Sequence, residues 1–195
     1  MSMQYDVWAV NTGASNATFF STNVAASGNI TLANTQIGNN GTGYKVSSTA
    51  VGDESSLTIT VTGVPVGRLD GGTVTETFLA GSASVTYSTN YYTTVTAMSI
   101  DKAPTGSLSI GFGGDLALPR TRIKSVYFVT SGASGNITFT SQGSSSVILS
   151  LTTPSATIQG LAFVPPDGIL TTKNTVNDFC VVTTSNVGGV TIFCG

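Results

Sequence analysis

Apolar and polar residues alternate with period two all along this chain, and no segment longer than a few residues carries the 3.6-residue period of an amphipathic helix. Successive side chains of a strand point to opposite faces, so each alternating run has one face to bury and needs another layer to bury it against. Leu57, Ile59 and Val61 alternate with Thr58, Thr60 and Thr62. Ala83, Val85 and Tyr87 alternate with Ser84, Thr86 and Ser88, and Leu108, Ile110 and Phe112 with Ser109 and Gly111. In each run the apolar set is expected to be the buried face. Further strands are expected at Val7 to Val10, Thr73 to Leu79, Tyr91 to Ile100, Ile123 to Val129, Asn136 to Thr140, Val147 to Leu151, Ala156 to Phe163, Asn177 to Thr183 and Val190 to Cys194. Turn residues separate them at Gly38 to Gly43, Asp70 to Gly72, Ser131-Gly132, Pro165 to Gly168 and Asn186 to Gly189. The expected fold is all-β, built from antiparallel β-sandwich or jelly-roll-like modules.

At 195 residues the chain has room for two such modules in tandem. Two glycines and a proline in Gly113-Gly-Asp-Leu-Ala-Leu-Pro-Arg120 interrupt the strand series. They place an N-terminal domain at 1–117, opening with a hairpin segment over about 1–40, and a smaller C-terminal domain at 120–195. Val7-Trp-Ala-Val-Asn-Thr-Gly-Ala-Ser-Asn-Ala-Thr-Phe19 is echoed, with one gap, by Val126-Tyr-Phe-Val-Thr-Ser-Gly-Ala-Ser-Gly-Asn-Ile-Thr-Phe139, each reading as strand, glycine turn, strand. Duplication and convergent hairpin chemistry both account for the echo.

Only 8% of the residues are charged, and Ser, Thr, Asn and Gly fill the polar positions instead. A free monomer usually keeps roughly a quarter to a third of its surface charged. The depletion suits a surface that packs against copies of itself or a larger assembly, where every buried charge costs desolvation. Seven basic against nine acidic residues leave no field to hold a polyanion, so nucleic acid is not an expected partner. The first residues lack the basic end and apolar run of a secretory signal, and no apolar stretch approaches the ~18 residues of a membrane helix. A membrane is not an expected partner either.

The inventory of reactive side chains argues against catalysis, and no cofactor is expected. The chain has no histidine, the usual general base of serine and cysteine nucleophiles and the commonest zinc ligand. Cys180 and Cys194 are the only thiols. A terminal hairpin turning near Asn186 would set them diagonally on one face, poorly aimed for a bond, and both are expected as free, buried core residues. Glu76, flanked by Asp70 and Asp101, is the best candidate for an acid–base carboxylate; amid Thr73, Thr75 and Thr77 it reads more simply as an outward edge charge. Asp53-Glu54 and Asp115 beside glycines read as turn caps, because neither stretch has the alternating oxygen ligands of a calcium loop. Ile110-Gly-Phe-Gly-Gly-Asp115 is no phosphate loop, since Leu116-Ala-Leu-Pro119 follows it where a helix should start. Trp8, Phe19, Tyr91, Tyr92 and Phe139 read as core or interface anchors, with a sugar-stacking platform on Trp8, Tyr91 or Tyr92 as the alternative. Arg120, Arg122 and Lys124 hold three of the seven basic residues, and alternation puts them on one face of one strand. That stripe is a candidate dock for an acidic partner surface, or else a solvated strand face.

Ser55-Ser-Leu-Thr-Ile-Thr-Val-Thr-Gly63, Gly71-Gly-Thr-Val-Thr-Glu-Thr77, Tyr91-Tyr-Thr-Thr-Val-Thr-Ala-Met-Ser-Ile100 and Thr105-Gly-Ser-Leu-Ser-Ile-Gly111 together resemble a β-module of the virion proteins of tailed bacteriophages. Arg122-Ile-Lys-Ser-Val-Tyr-Phe-Val129, Ile137-Thr-Phe139, Ile148-Leu149, Pro166-Asp-Gly-Ile-Leu170 and Val190-Thr-Ile-Phe-Cys-Gly195 are similar to small β-sandwich modules of marine T7-like phages. The resemblance implies a non-enzymatic structural protein of a phage particle, assembled in the bacterial host cytoplasm. Its expected role is capsid decoration through contacts with its own copies and with other virion proteins, as a homo-oligomer. A tail adaptor or fibre-base protein and a carbohydrate-binding receptor module are the alternatives.

Overall fold

The computed structural model describes residues 7–68, 70–163, 167–172 and 178–195. Asn177 of one expected strand and Pro165 and Pro166 of one expected turn lie outside them. The described residues contain no helix. Their strands are β1 (Trp8–Asn11), β2 (Asn16–Ser21), β3 (Gly28–Asn29), β4 (Gly43–Ala50), β5 (Thr58–Pro65), β6 (Val74–Leu79), β7 (Val85–Ile100), β8 (Leu108–Leu118), β9 (Arg122–Thr130), β10 (Gly135–Ser141), β11 (Ser146–Thr153), β12 (Gln159–Phe163), β13 (Ile169–Leu170), β14 (Cys180–Ser185) and β15 (Val187–Cys194). Pairing is antiparallel, as expected from the alternating pattern. The chain divides into one compact unit of Ala14–Gly114 and a second made of Asp115–Gly195 with the N-terminal strand β1. Instead of breaking at Gly113-Gly114, β8 runs through both glycines to Leu118, so the division falls inside a strand.

In the Ala14–Gly114 unit the strands lie in the order β8-β4-β7-β5-β6, with β2 also on β8 and β3 also on β7. The sixteen-residue β7 organises them. Its first half pairs with β4 up to Tyr92 and its second half with β5 from Tyr92 to Ile100. Where β4 leaves, the segment around β3 takes over, through bonds from Ile37 N to Thr93 O, Val95 N to Thr35 O and Ile30 N to Met98 O. Register shifts opposite Thr62/Gly63 and Val64/Pro65 mark bulges that bend so long a strand. Thr93 Oγ1 and Thr96 Oγ1 donate to Val64 O and Thr62 O beside those shifts, 3.1 Å each. Phe20, Val46, Leu57, Ile59, Val61, Tyr92, Val95, Leu108 and Ile110 fill the core, with Phe19, Val24, Ile30, Leu32 and Ile37 packed against it. The Leu57/Ile59/Val61 alternation is therefore buried as expected. Val85 and Tyr87 are not: they are 48% and 45% exposed, while Ser88 on the expected polar face is buried. A further register shift, opposite Lys45/Ser47, resets the phase, and Ser88 Oγ turns in to accept Val46 N at 2.9 Å and donate to Asn90 O at 2.8 Å.

The second unit is a β-sandwich. One sheet has the order β1-β15-β9-β12, with β13 also on β9; the other runs β11-β10-β14 and onto the end of β8. Leu116, Leu118, Ile137, Phe139, Cys180 and Val182 from the latter and Ile123, Val126, Val190, Ile192 and Cys194 from the former are buried. Two expectations are corrected here. β1 does not belong with a hairpin of an N-terminal 1–117 domain; it pairs with β15 at the far end of the chain, Trp8 opposite Cys194. Nor do β14 and β15 form a hairpin: Asn186, in the left-handed region at φ 51°, hands the chain from one sheet to the other. In the sequence echo, Gly13 (φ 74°) and Gly132 (φ 92°) occupy matching left-handed turns. The two echoing strands, β1 and β9, flank the same strand β15.

Candidate functional site

The carboxylates considered for chemistry are committed to the backbone. Glu76 faces inward with Val74 and Phe78, and is not the outward charge expected from its threonine neighbours. Its oxygens accept Thr89 N (3.1 Å), Asn90 N (3.1 Å) and Tyr92 Oη (2.9 Å), holding the irregular stretch of β7. Burial, reinforced by the Glu76 carboxylate, raises the Tyr92 hydroxyl far above the ordinary phenol range. Asp70 binds Arg68 at 2.7 Å and caps Gly72 N, and Asp101 caps Thr58 N. Asp70 serves the turn before β6, whereas Asp101 follows β7 and serves Thr58, which pairs with Leu79 at the end of β6; the three carboxylates do not converge. Glu54 Oε1 accepts Gly106 N (2.6 Å), Thr105 N (2.8 Å) and Thr105 Oγ1 (2.9 Å), bonds that hold its carboxyl below the usual range, the Gly106 bond foremost. Asp53 accepts the Ser55 hydroxyl and N–H. Among the described residues no group of three His, Cys, Asp or Glu could hold a metal ion.

The basic stripe is partly assembled. β9 begins at Arg122, so Arg120 sits before the strand, exposed, and not on a common strand face. Arg122 and Lys124 do converge: Arg122 Nη1 donates to Asp167 O at 3.1 Å and Lys124 Nζ to the same oxygen at 3.4 Å. Gly168, at φ 73°, brings the loop close, since a Cβ there would sit 2.8 Å from Ile123 O and 3.1 Å from the Arg122 Cβ. The two side chains thus tie a loop to β9.

Cys180 and Cys194 are free, buried, and on facing sheets of the sandwich. Burial pushes both thiols up to about 12. Tyr91 and Tyr92 are 8% and 0% exposed, which removes them as a stacking platform; Trp8 is half-buried.

Two surface features were hidden from sequence reasoning. Tyr87, 45% exposed, stands beside a shallow groove of about 120 Å³ with Val85, Phe112, Ser15, Ser47 and Thr49. Its ring lies over the Gly113-Gly114 backbone: Cε1 would be 3.5 Å from a Cβ at Gly113 and 3.8 Å from one at Gly114. No charged side chain lines this groove. The paired glycines were the available signal, and they looked like a linker. The second feature is the sheet edges. The terminal strands β1, β6, β11 and β12 carry no charge except Glu76, which points inward. Val147 on β11, Leu161 on β12 and Leu79 on β6 are 56%, 47% and 55% exposed. Soluble proteins commonly protect such edges with outward charges, Lys above all. No family model, no curated protein and no solved structure matches the chain.

Proposed function

We propose that this protein is a non-enzymatic structural component of a bacteriophage virion, a capsid decoration or accessory protein that acts through many repeated contacts with its own copies and with neighbouring virion proteins. The observation that carries the reading is the set of terminal strands without outward charge, on a chain with only 8% charged residues. A protein meant to stay dispersed is selected against such edges, whereas a subunit whose edges and apolar side chains are covered in a lattice has no use for protective charge. Repetition by symmetry then lets weak single contacts suffice, through effective concentration. The phage assignment rests on the resemblance of the Ser55–Gly111 and Arg122–Gly195 strand patterns to virion β-modules. Quantifying the chain in purified particles tests it: hundreds of copies place it on the capsid, a dozen or fewer in the tail, and its absence from particles ends the virion reading.

One observation favours a second reading, a carbohydrate-binding receptor module. An exposed tyrosine ring beside hydroxyl side chains, with no charge nearby, can stack on a neutral sugar and bond its hydroxyls. Chemical-shift perturbation by neutral oligosaccharides, centred on Tyr87 and lost in Tyr87→Ala, is the outcome this reading requires.

A further inference from the structure

We propose that the groove beside Tyr87 is a binding subsite for one uncharged hexopyranose ring, stacked on the Tyr87 ring and hydrogen-bonded by the hydroxyls of Ser47, Thr49 and Ser15. This subsite rests on the receptor-module reading and gives it a ring size, a charge and a set of contact groups. The groove lies wholly within the Ala14–Gly114 unit. It exists because the register shift opposite Lys45/Ser47 turns Val85 and Tyr87 outward, where Thr49 and Ser47 face them across the β4–β7 ladder. Cross-strand neighbours stand about 5 Å apart, so ring and hydroxyl reach the same ligand. Phe112 also lines the groove and is held edge-on against Phe19 at 4.9 Å.

Unused hydroxyls point to a ligand. Ser47 is 3% exposed, yet its hydroxyl bonds to no other described residue. The hydroxyls of Ser48, Thr153 and Thr172 are also unpartnered but sealed in the interior; that of Ser47 is not sealed, and the groove is what it opens on. The hydroxyls of Thr49, Ser15 and Tyr87, on the same groove, likewise have no partner among the described residues. Buried polar groups normally find partners within the fold, so a nearly buried hydroxyl left open on a groove is available to what enters it.

The chemistry of these groups selects the ligand. A hydroxyl both donates and accepts, and so matches another hydroxyl. An anion calls for a cation and an amine for a carboxylate, but no charged side chain lines the groove. Lys45, the cation on β4, lies over the Tyr91 ring instead, 5.1 Å from its centre. The Tyr87 ring and Val85 ask for an apolar surface on the same molecule. A pyranose supplies both, with axial C–H groups on a ring face and hydroxyls around its rim. The groove volume of about 120 Å³ is on the order of the ~150 Å³ that holds one six-membered ring.

The test titrates methyl β-glucoside, methyl β-galactoside and methyl α-mannoside into the full chain and follows chemical shifts. At least one should bind with a dissociation constant on the order of 1 mM and perturb Ser47, Thr49 and Tyr87. Glucuronate, a charged ring, and sorbitol, a polyol without a ring face, should bind ~10-fold more weakly or worse. Ser47→Ala removes a hydroxyl that holds nothing in the protein, and should weaken binding about 3- to 10-fold with an unchanged thermal melt. Gly113 is not one of the left-handed glycines, and a Cβ there would sit 3.4 Å from Ser15 Cβ and 3.5 Å from Tyr87 Cε1, ordinary contact distances. Gly113→Ala therefore fills the ring's space without disturbing the fold, and should weaken binding ~10-fold or more. If Gly113→Ala melts early, Ser47→Ala decides alone. Sorbitol or glucuronate binding as tightly as the glycosides, or binding indifferent to both substitutions, would overturn the subsite. Oligosaccharides that perturb Tyr87 while no single ring does would also overturn it and leave the receptor-module reading standing. No response to any saccharide would end both.

Discussion

The two units solve one problem with different chemistry. Each must satisfy backbone groups that bulges, turns and sheet ends leave unpaired in a chain with few charges. In Ala14–Gly114 carboxylates join the hydroxyls of Ser88, Thr93 and Thr96 in doing it: Asp53, Glu54, Asp70, Glu76 and Asp101 each accept at least one backbone N–H. In the unit of Asp115–Gly195 with β1, hydroxyls do most of it. Thr130 Oγ1 donates to Ala156 O and accepts Ile158 N at 2.8 Å. Thr171 Oγ1 donates to Pro119 O at 2.9 Å and accepts Thr121 N at 2.9 Å. Ser131 Oγ reaches Asn186 O at 2.6 Å. Of that unit's carboxylates, Asp178 is the buried exception, accepting Ser141 Oγ and Gly143 N. The acidic groups of Ala14–Gly114 thus serve its own backbone, Glu54 from a buried position and Asp53, Asp70 and Asp101 from the surface.

The largest expected effect comes from removing one clamp of each kind. Glu76→Ala strips the acceptor from the Tyr92 hydroxyl, on a fully buried residue, and from the half-buried Asn90 and exposed Thr89 N–H groups, and should cost about 2–3 kcal/mol of unfolding free energy, most of it from the Tyr92 donor. Thr130→Val removes one hydroxyl of similar shape and should cost about 1–2 kcal/mol. Urea unfolding followed by circular dichroism measures both, and a Thr130→Val loss equal to that of Glu76→Ala would erase the distinction.

The Glu76 clamp shows how far the sequence could be read. Val74 and Phe78 put residue 76 on the inner face by simple alternation, but its threonine neighbours suggested a solvated edge. A half-buried, inward carboxylate makes sense only once the β7 irregularity that supplies its donors is known. The Leu57/Ile59/Val61 alternation was legible because its strand keeps one phase until the register shift after Thr62. Val85 and Tyr87 misled because an insertion further along β7 reverses which face is buried, and bulges leave no period of their own. β4 escaped notice for a related reason: its inward set of Tyr44, Val46, Ser48 and Ala50 includes a serine and dilutes the apolar signal. Non-local pairing was also beyond reach, since nothing local to Val7–Val10 or Asn186 tells which sheet each strand joins. The candidate site fared worst, because an uncharged edge becomes a feature only when topology shows which strands are terminal.

Acid should separate the units next. Asp53, Glu54, Asp70 and Asp101 are all held below their ordinary values, Asp70 at about 2, by its Arg68 bond foremost. A depressed folded-state value means the contribution is complete above the unfolded-state value and is lost as pH falls through the folded one. Stability of Ala14–Gly114 should therefore decline below the ordinary 4.5 of glutamate and continue down towards 2. Hydrogen exchange at pH 3 against pH 7, corrected for intrinsic rates, should show a greater loss of protection in β5–β7 than in β9 and β15. Equal loss would break the comparison.

Both thiols lie in the second unit and so report on it alone. With each held near 12 by burial, the thiolate fraction at pH 8 is roughly one in ten thousand. Native protein should resist iodoacetamide for hours, and both groups should label in urea. In Glu76→Ala the urea midpoint for labelling should shift less than the midpoint for circular dichroism. Equal shifts would mean that the units open together.

The smallest effect on stability is expected at the basic residues. Arg122 and Lys124 donate to a carbonyl oxygen on an exposed loop, and Arg120 is exposed. Replacing all three with Ser should change unfolding free energy by less than about 1 kcal/mol, because exposed polar and ionic contacts contribute little. Docking makes a separate demand. If these cations meet an acidic surface of the particle, the triple variant should incorporate poorly although folded. Wild-type binding to depleted particles should also slow with added salt as the screening length falls below about 10 Å. Normal incorporation of the variant at every salt concentration leaves Arg122 and Lys124 with the task the geometry already gives them, fastening the Asp167–Gly168 loop to β9, and turns the search for the contact surface back to the uncharged edges.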